Sequence, residues 1–179
     1  MRKVTFGGAI SFDNFIARRD GSFDWIMHSD DAGELMKEYW QKIDTMVMGR
    51  KTYDIAMQYA PKKKKAKNPY GNLRTFVFSR TLEPGTRDEV TFVSTDPGQF
   101  VRKLKKEKGK EICVMGGGDL AKNLFEAGVI DEIGFNIHPV LLGSGIPLFH
   151  EMKRQIDLEL VECRPLKNGC VYVLYRVKN

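Results

Sequence analysis

The chain has 179 residues, 42% hydrophobic and 29% charged, with a formal net charge of +6. This is ordinary globular usage at about one domain's length, which argues against a disordered chain, a collagen or a disulfide-scaffold miniprotein. No apolar run approaches the ~20 residues that span a bilayer, and the three cysteines, Cys113, Cys163 and Cys170, show no CxxC spacing. The expectation is a single domain over residues 1–179, in a reducing cytoplasm, with no membrane role and no metal site.

The N-terminal stretch lacks a sustained apolar core and a clean cleavage site, so Val4 to Ile10 reads as a buried strand rather than a signal peptide. Ser29 to Ile43 reads as a helix. Ser29 caps it, Asp30 and Asp31 lie in its first turn, and Leu35, Met36, Tyr39, Trp40 and Ile43 form its apolar stripe. Thr45 to Met48 is a short strand stopping at Gly49, and Lys51 to Gln58 a short helix broken by Pro61. Residues 60 to 73, with two prolines and the run Lys62 to Lys67, read as a loop.

Arg74 to Phe78 and Val90 to Val93 read as strands, with Glu83, Pro84 and Gly85 turning the chain between them. Asp96 to Glu107 is an amphipathic helix facing Phe100, Val101 and Leu104 inward. Glu111 to Met115 is a strand ending in Gly116-Gly117-Gly118, and Leu120 to Ala127 a helix. Glu132 to Val140 is a further strand, and Leu158 to Arg164 with Cys170 to Val177 form a closing antiparallel hairpin. Strand–helix alternation predicts an α/β fold with a largely parallel sheet, helices on both faces and one antiparallel C-terminal edge.

In such sheets ligands sit beyond the carboxyl ends of the strands. Three strand ends here carry chemistry suited to anions. Gly116 to Gly118 let a backbone approach a ligand, and a helix N-terminus follows. Gly49-Arg50-Lys51-Thr52 joins a glycine to two cations and a hydroxyl, and Ser79-Arg80-Thr81 repeats the pattern. Each alone reads equally well as a tight turn or a helix start; together they suggest a ligand with several phosphates, such as a dinucleotide. The basic runs at Lys62 to Lys67 and Arg102 to Lys110 read as solvated surface, with nucleic-acid binding the rival. His28, His138 and His150 are isolated in the sequence.

The ordered set Ser11 to Ala17, Val47 to Tyr53, Val77 to Thr81, Met115 to Leu120 and Pro139 to Phe149 resembles the dihydrofolate reductase-like superfamily. Within it the chain is most similar to the reductase domain of riboflavin biosynthesis, the C-terminal part of a bifunctional deaminase-reductase. The resemblance implies a three-layer α/β/α fold and an NADPH-dependent reductase acting on a small heterocyclic or ribosylamino-pyrimidine substrate, like a 5-amino-6-(5-phosphoribosylamino)uracil reductase. A dihydrofolate or pterin reductase, or a non-catalytic nucleotide-binding module of the same fold, are the alternatives.

By matching position, the resemblance implies that Ala9 and Ile16 hold the nicotinamide carboxamide through backbone groups. Gly49, Arg50, Lys51 and Thr52 meet the phosphates, with Lys51 also a candidate for the 2′-phosphate; Ser79 and Arg80 lie at the 2′-phosphate end. Gly116, Gly117, Gly118, Asp119 and Leu120 wrap the pyrophosphate, with a cis bond matching Gly116–Gly117. Asn14 stands where the family pattern has glycine, and Asp13 shapes that turn. Counting back from Gly49 to the family's first-helix acid lands near Gly33, between Asp31 and Glu34, so those two are the candidate proton donors, with water the third. The resemblance also implies a homodimer with no specific nucleic-acid role.

Overall fold

The structure, a computed structural model, describes residues 1–59, 68 and 70–178. The run Lys62 to Lys67 lies outside the described residues. In chain order the first elements are β1 (Val4–Ser11), β2 (Phe15–Ala17), α1 (Asp30–Lys42), β3 (Ile43–Gly49), α2 (Arg50–Tyr59), β4 (Arg74–Phe78), β5 (Gly85–Arg87) and β6 (Val90–Val93). There follow α3 (Pro97–Lys106), β7 (Glu111–Gly116), α4 (Gly118–Glu126), β8 (Glu132–His138), β9 (Ile146–Pro147), β10 (Leu158–Pro165) and β11 (Val171–Val177).

The helices start where capping chemistry places them. Ser29 Oγ accepts from the Ala32 N–H at the start of α1, and Asp96 Oδ1 accepts from the Gln99 N–H at the start of α3, with Pro97 in its first turn. The strands form one nine-stranded sheet in the order β10-β11-β8-β1-β7-β3-β4-β6-β5. The six strands from β8 to β6 run parallel; β11 is antiparallel to β8, and β10 to β11. This is the expected α/β architecture with its antiparallel C-terminal edge.

Strand alternation divides the side chains between two layers. Val47, Phe76, Ile112 and Val114 join Val101 and Leu104 of α3 and Leu120, Leu124 and Phe125 of α4 in one core. Met46, Met48, Val77 and Cys113 point to the opposite face, against Tyr39 and Trp40 of α1 and Tyr53 of α2. Ala32 and Leu35 of α1 extend that second layer over Leu166, Cys170 and Tyr172 of the C-terminal hairpin.

Two features depart from expectation. The Glu83–Gly85 turn runs directly into β5, an antiparallel strand on the other edge of the sheet, with Arg87 opposite Val90. The two residues between them, Asp88 and Glu89, both have positive φ (49° and 67°), the backbone of a tight hairpin turn. Separately, β2 and β9 pair into a two-stranded ribbon of their own.

Candidate functional site

β3 and β7 are neighbours in the sheet, and each passes almost directly into a helix, β3 into α2 and β7 into α4. Their ends therefore meet. A Cβ placed on Gly49 would lie 3.5 Å from the Gly117 nitrogen, and one on Gly117 would lie 3.7 Å from Thr52 Oγ1. The Gly116–Gly117 peptide is cis, and Gly116 has φ +115°. Gly117 is the N-cap of α4, so the N–H groups of Gly118, Asp119 and Leu120 lack intrahelical acceptors, as do those in the first turn of α2. Two helix N-termini thus offer free donors and partial positive charge beside a floor without side chains. Leu120 has its side chain in the core, 6% exposed, and presents only its N–H.

The flanking groups are placed as follows. Arg50 Nε donates to both carboxylate oxygens of Asp54 at 2.7 Å, so that pair orients its guanidinium along α2. Lys51 is exposed. Ser79 is buried at the end of β4, and its Oγ accepts from the Thr81 and Leu82 N–H groups at 3.2 and 3.1 Å, turning the chain so that Arg80 is exposed. Ala9 lies near the end of β1 opposite Asn136 of β8, and Ile16 lies on β2.

Residues 11–17 and 139–149, which follow β1 and β8, pair into a roof whose Leu148 carbonyl oxygen would lie 2.9 Å from a Cβ on Gly118. Asp13 fastens it: Oδ1 accepts from Ser11 Oγ at 2.6 Å and the Leu142 N–H at 3.1 Å, and Oδ2 accepts from the Gly143 N–H at 2.8 Å. These donors, the Ser11 hydroxyl foremost, hold its carboxyl below the usual carboxylate range. Asn14 takes φ 64° between them, as its replacement of glycine requires.

The two candidate acids, one on either side of Gly33, differ in their contacts. Asp31 Oδ1 accepts from Ser29 Oγ at 2.6 Å, and Oδ2 accepts from the Lys167 N–H at 2.9 Å, so it ties the start of α1 to the β10–β11 turn. Those contacts, led by the Ser29 hydroxyl, lower its pKa and keep it ionised. Glu34 is exposed, off the α1 face that buries Ala32 and Leu35.

Sequence reasoning missed a polar layer between α1 and the sheet. His138 ends β8 and is 2% exposed; its Nδ1 accepts from the Met27 N–H at 3.2 Å and lies 3.1 Å from Cys170 Sγ. The Trp25 ring stands edge-on to it, centroids 5.2 Å apart. Asn136, two residues earlier on the same strand face, has a buried Oδ1 without a hydrogen-bond partner among the described residues. The signal was there in period-2 form, since Asn136 and His138 alternate with the core residues Phe135 and Ile137.

A mostly parallel sheet with an antiparallel C-terminal edge and a glycine-lined junction of two helices defines the dihydrofolate reductase-like class. Dihydrofolate reductase from Enterococcus faecalis, solved in complex with NADP(H), superposes with a TM-score of 0.69 at 18% identity, covering 99% of this chain and 97% of that one. Residues 2–172 match the RibD C-terminal domain, and the chain belongs to that family. A candidate riboflavin biosynthesis protein from Shewanella sp. PV-4 aligns over the full length of both chains with a TM-score of 0.83 and 25% identity. YyaP of Bacillus subtilis, itself uncharacterised, is 33% identical over 180 positions, covering 97% of this chain and 94% of its own.

Proposed function

We propose that the protein is an NADPH-dependent reductase that delivers a hydride to a small heterocyclic substrate of the ribosylamino-pyrimidine type, as a 5-amino-6-(5-phosphoribosylamino)uracil reductase does. The observation that carries this reading is the junction of Gly49, Gly116 and Gly117 between the N-termini of α2 and α4. The residues fit the cofactor: the floor is one that a Cβ would fill, and the free N–H groups around it suit a pyrophosphate.

NADPH supplies the hydride when bound. The chain's own residues bind and orient it. The N–H groups of Gly118, Asp119 and Leu120 hold the pyrophosphate. Arg50, Lys51 and Thr52 add charge and a hydroxyl. Lys51, Ser79 and Arg80 take the adenosine 2′-phosphate end, and the backbones of Ala9 and Ile16 place the nicotinamide. The Asp13-fastened roof excludes water. Asp31, held ionised by its hydrogen bonds, is a poor acid, so the proton falls to Glu34 or to water.

Fluorescence titration tests the reading. NADPH should bind about tenfold to a hundredfold more tightly than NADH, the worth of a charge-assisted contact of ~1.5–3 kcal/mol to the 2′-phosphate. Equal affinities would remove the Lys51 and Arg80 assignment, and no binding of either would remove the reading. Turnover is then assayed with ribosylamino-pyrimidines and pterins; binding without turnover on any of them favours a nucleotide-binding module of the same fold.

A further inference from the structure

The segment that leaves the roof at Leu148 passes over the start of α4. Leu148 is buried in the core, and its N–H donates to the Asn14 carbonyl at 3.0 Å. The Phe149 ring stands edge-on to Phe6 and Phe135. With these two residues held, His150 follows at a fixed place. A Cβ on Gly118 would lie 2.2 Å from His150 Cδ2 and 2.5 Å from its Nε2, so the ring takes the room that the third glycine leaves. In a helix the Cα–Cβ bond tilts toward the N-terminus. The ring therefore stands at the N-terminal rim of α4, with Nε2 within about 5 Å of the Gly118 nitrogen. The N–H groups of Gly118, Asp119 and Leu120 open at that rim without intrahelical acceptors.

Packing alone does not call for a histidine here. The ring is 38% exposed, and neither of its nitrogens makes a hydrogen bond among the described residues. The charged group that meets it from α4 is Asp119, whose Oδ1 lies 3.8 Å from Nδ1. Lys122 lies three residues further along that helix, Glu151 follows His150 in its own segment, and α2 opens across the junction with Arg50 and Lys51. We propose that His150 is a ligand of the cofactor's pyrophosphate, which it binds as the imidazolium through Nε2–H, so that NADPH and a proton bind together. The proposal rests on the reductase reading and adds to its cofactor site a residue from the segment after the roof. A phosphate oxygen that accepts from the Gly118 N–H at about 2.9 Å is within reach of Nε2. Asp119, at Nδ1 on the other side of the ring, favours the same charged form. The two negative charges of the pyrophosphate stabilise the imidazolium, so binding takes up a proton and affinity rises as the pH falls.

The test is calorimetric titration of NADPH into wild type and His150→Gln at about pH 6 and about pH 8, the range in which histidine side chains change charge, in two buffers of different ionisation enthalpy. The adenosine 2′-phosphate also titrates in this range, but equally with both proteins, so the difference between them reports His150. Wild type should bind NADPH about tenfold more tightly than the variant at the lower pH, the worth of a charge-assisted hydrogen bond, and the gap should close at the higher pH. Wild type should also take up more protons per NADPH bound. In proton NMR the His150 ring signal, assigned by its loss in the variant, should hold its charged-form position to higher pH once NADPH is added. The same pH dependence in both proteins would overturn the proposal. So would a ring signal that NADPH leaves unmoved, or a deficit in the variant that is equal at both pH values, as a ring that only fills the space over Gly118 would give. Failure of the reductase reading looks different, because wild type then binds no NADPH at either pH.

Discussion

Gly117 and Gly118 are adjacent, yet the structure gives them opposite tolerance. Gly117 has φ −83°, an ordinary value, and its missing Cβ would touch only Thr52 Oγ1 at 3.7 Å. A side chain there meets the ligand's space rather than the protein. Gly117→Val should therefore fold, with an unchanged circular dichroism spectrum, yet bind NADPH about tenfold to a hundredfold less well through lost contacts to the pyrophosphate. Full NADPH affinity in the folded variant would mean that the glycines only make a turn. At Gly118 a Cβ would drive into the His150 ring and come within 2.9 Å of the Leu148 carbonyl oxygen, so Gly118→Ala should lower the melting temperature by a few degrees, the scale of ~1 kcal/mol.

His138 carries a second prediction at the same scale. Burial, aided by His28, pushes its pKa below the ordinary 6.5. The unfolded chain then takes up a proton that the folded chain refuses. Its contribution to stability is complete above pH 6.5 and is lost as the pH falls from 6.5 toward the lower folded value. The affected carboxylates, including Asp13 and Asp31, are shifted down from 3.8 and act only in more acid solution. Thermal melts should show a level plateau above pH 7 and a decline starting near 6.5 that His138→Gln reduces. A decline of the same slope in the variant would assign it elsewhere.

At the level of elements, what was legible followed local chemistry. α1 and α3 begin at Ser29 and Asp96, whose side chains cap the helices they were expected to start. The glycine-ended strands β3 and β7 were found by apolar runs that stop abruptly. β5 escaped because its hairpin turn uses Asp88-Glu89, which adopt positive φ without the Asn-Gly signature of such turns. β2 and β9 escaped because each is three residues or fewer, with its partner more than 120 positions away in the chain. The glycine-lined junction between α2 and α4 was legible as glycines after strands. The Asn136 and His138 layer showed in the sequence only as alternation along β8; its burial is set by the sheet register and the packing of α1, which no local signal marks.

The roof shows the same dependence on tertiary contacts. Its hold on the body rests on Asp13 bridging Ser11, Leu142 and Gly143, with the Leu148 N–H donating to the Asn14 carbonyl at 3.0 Å. Asp13→Ala should leave the sheet intact and free the amides of Leu142 and Gly143, raising their hydrogen-exchange rates several-fold while those of β1 and β8 stay slow. Equal protection in the variant would show that the ribbon of β2 and β9 alone holds the roof.

Over the whole molecule the two sheet edges differ. β5 is three residues long and wholly exposed, a short edge that offers little to pair with. β10 is eight residues long and, among the described residues, has no strand paired to its outer backbone row, with Leu158, Leu160 and Val161 at 39%, 55% and 44% exposure. Its charges do not defend it: Glu159 pairs with Arg176 and Glu162 with Arg164. A long apolar edge whose charges are already matched favours a second copy, and the homodimer proposed for this chain is expected to form there. Light scattering at micromolar concentration should give twice the chain mass, and Leu160→Lys with Val161→Lys should halve it. The cradle at the ends of β3 and β7 comes from a single chain, and β11, β8 and β1 separate β10 from β7. The dissociated variant should therefore keep its NADPH affinity. A wild type that is monomeric at all concentrations would remove the pairing, whereas loss of NADPH binding on dissociation would mean that the partner reaches the cradle.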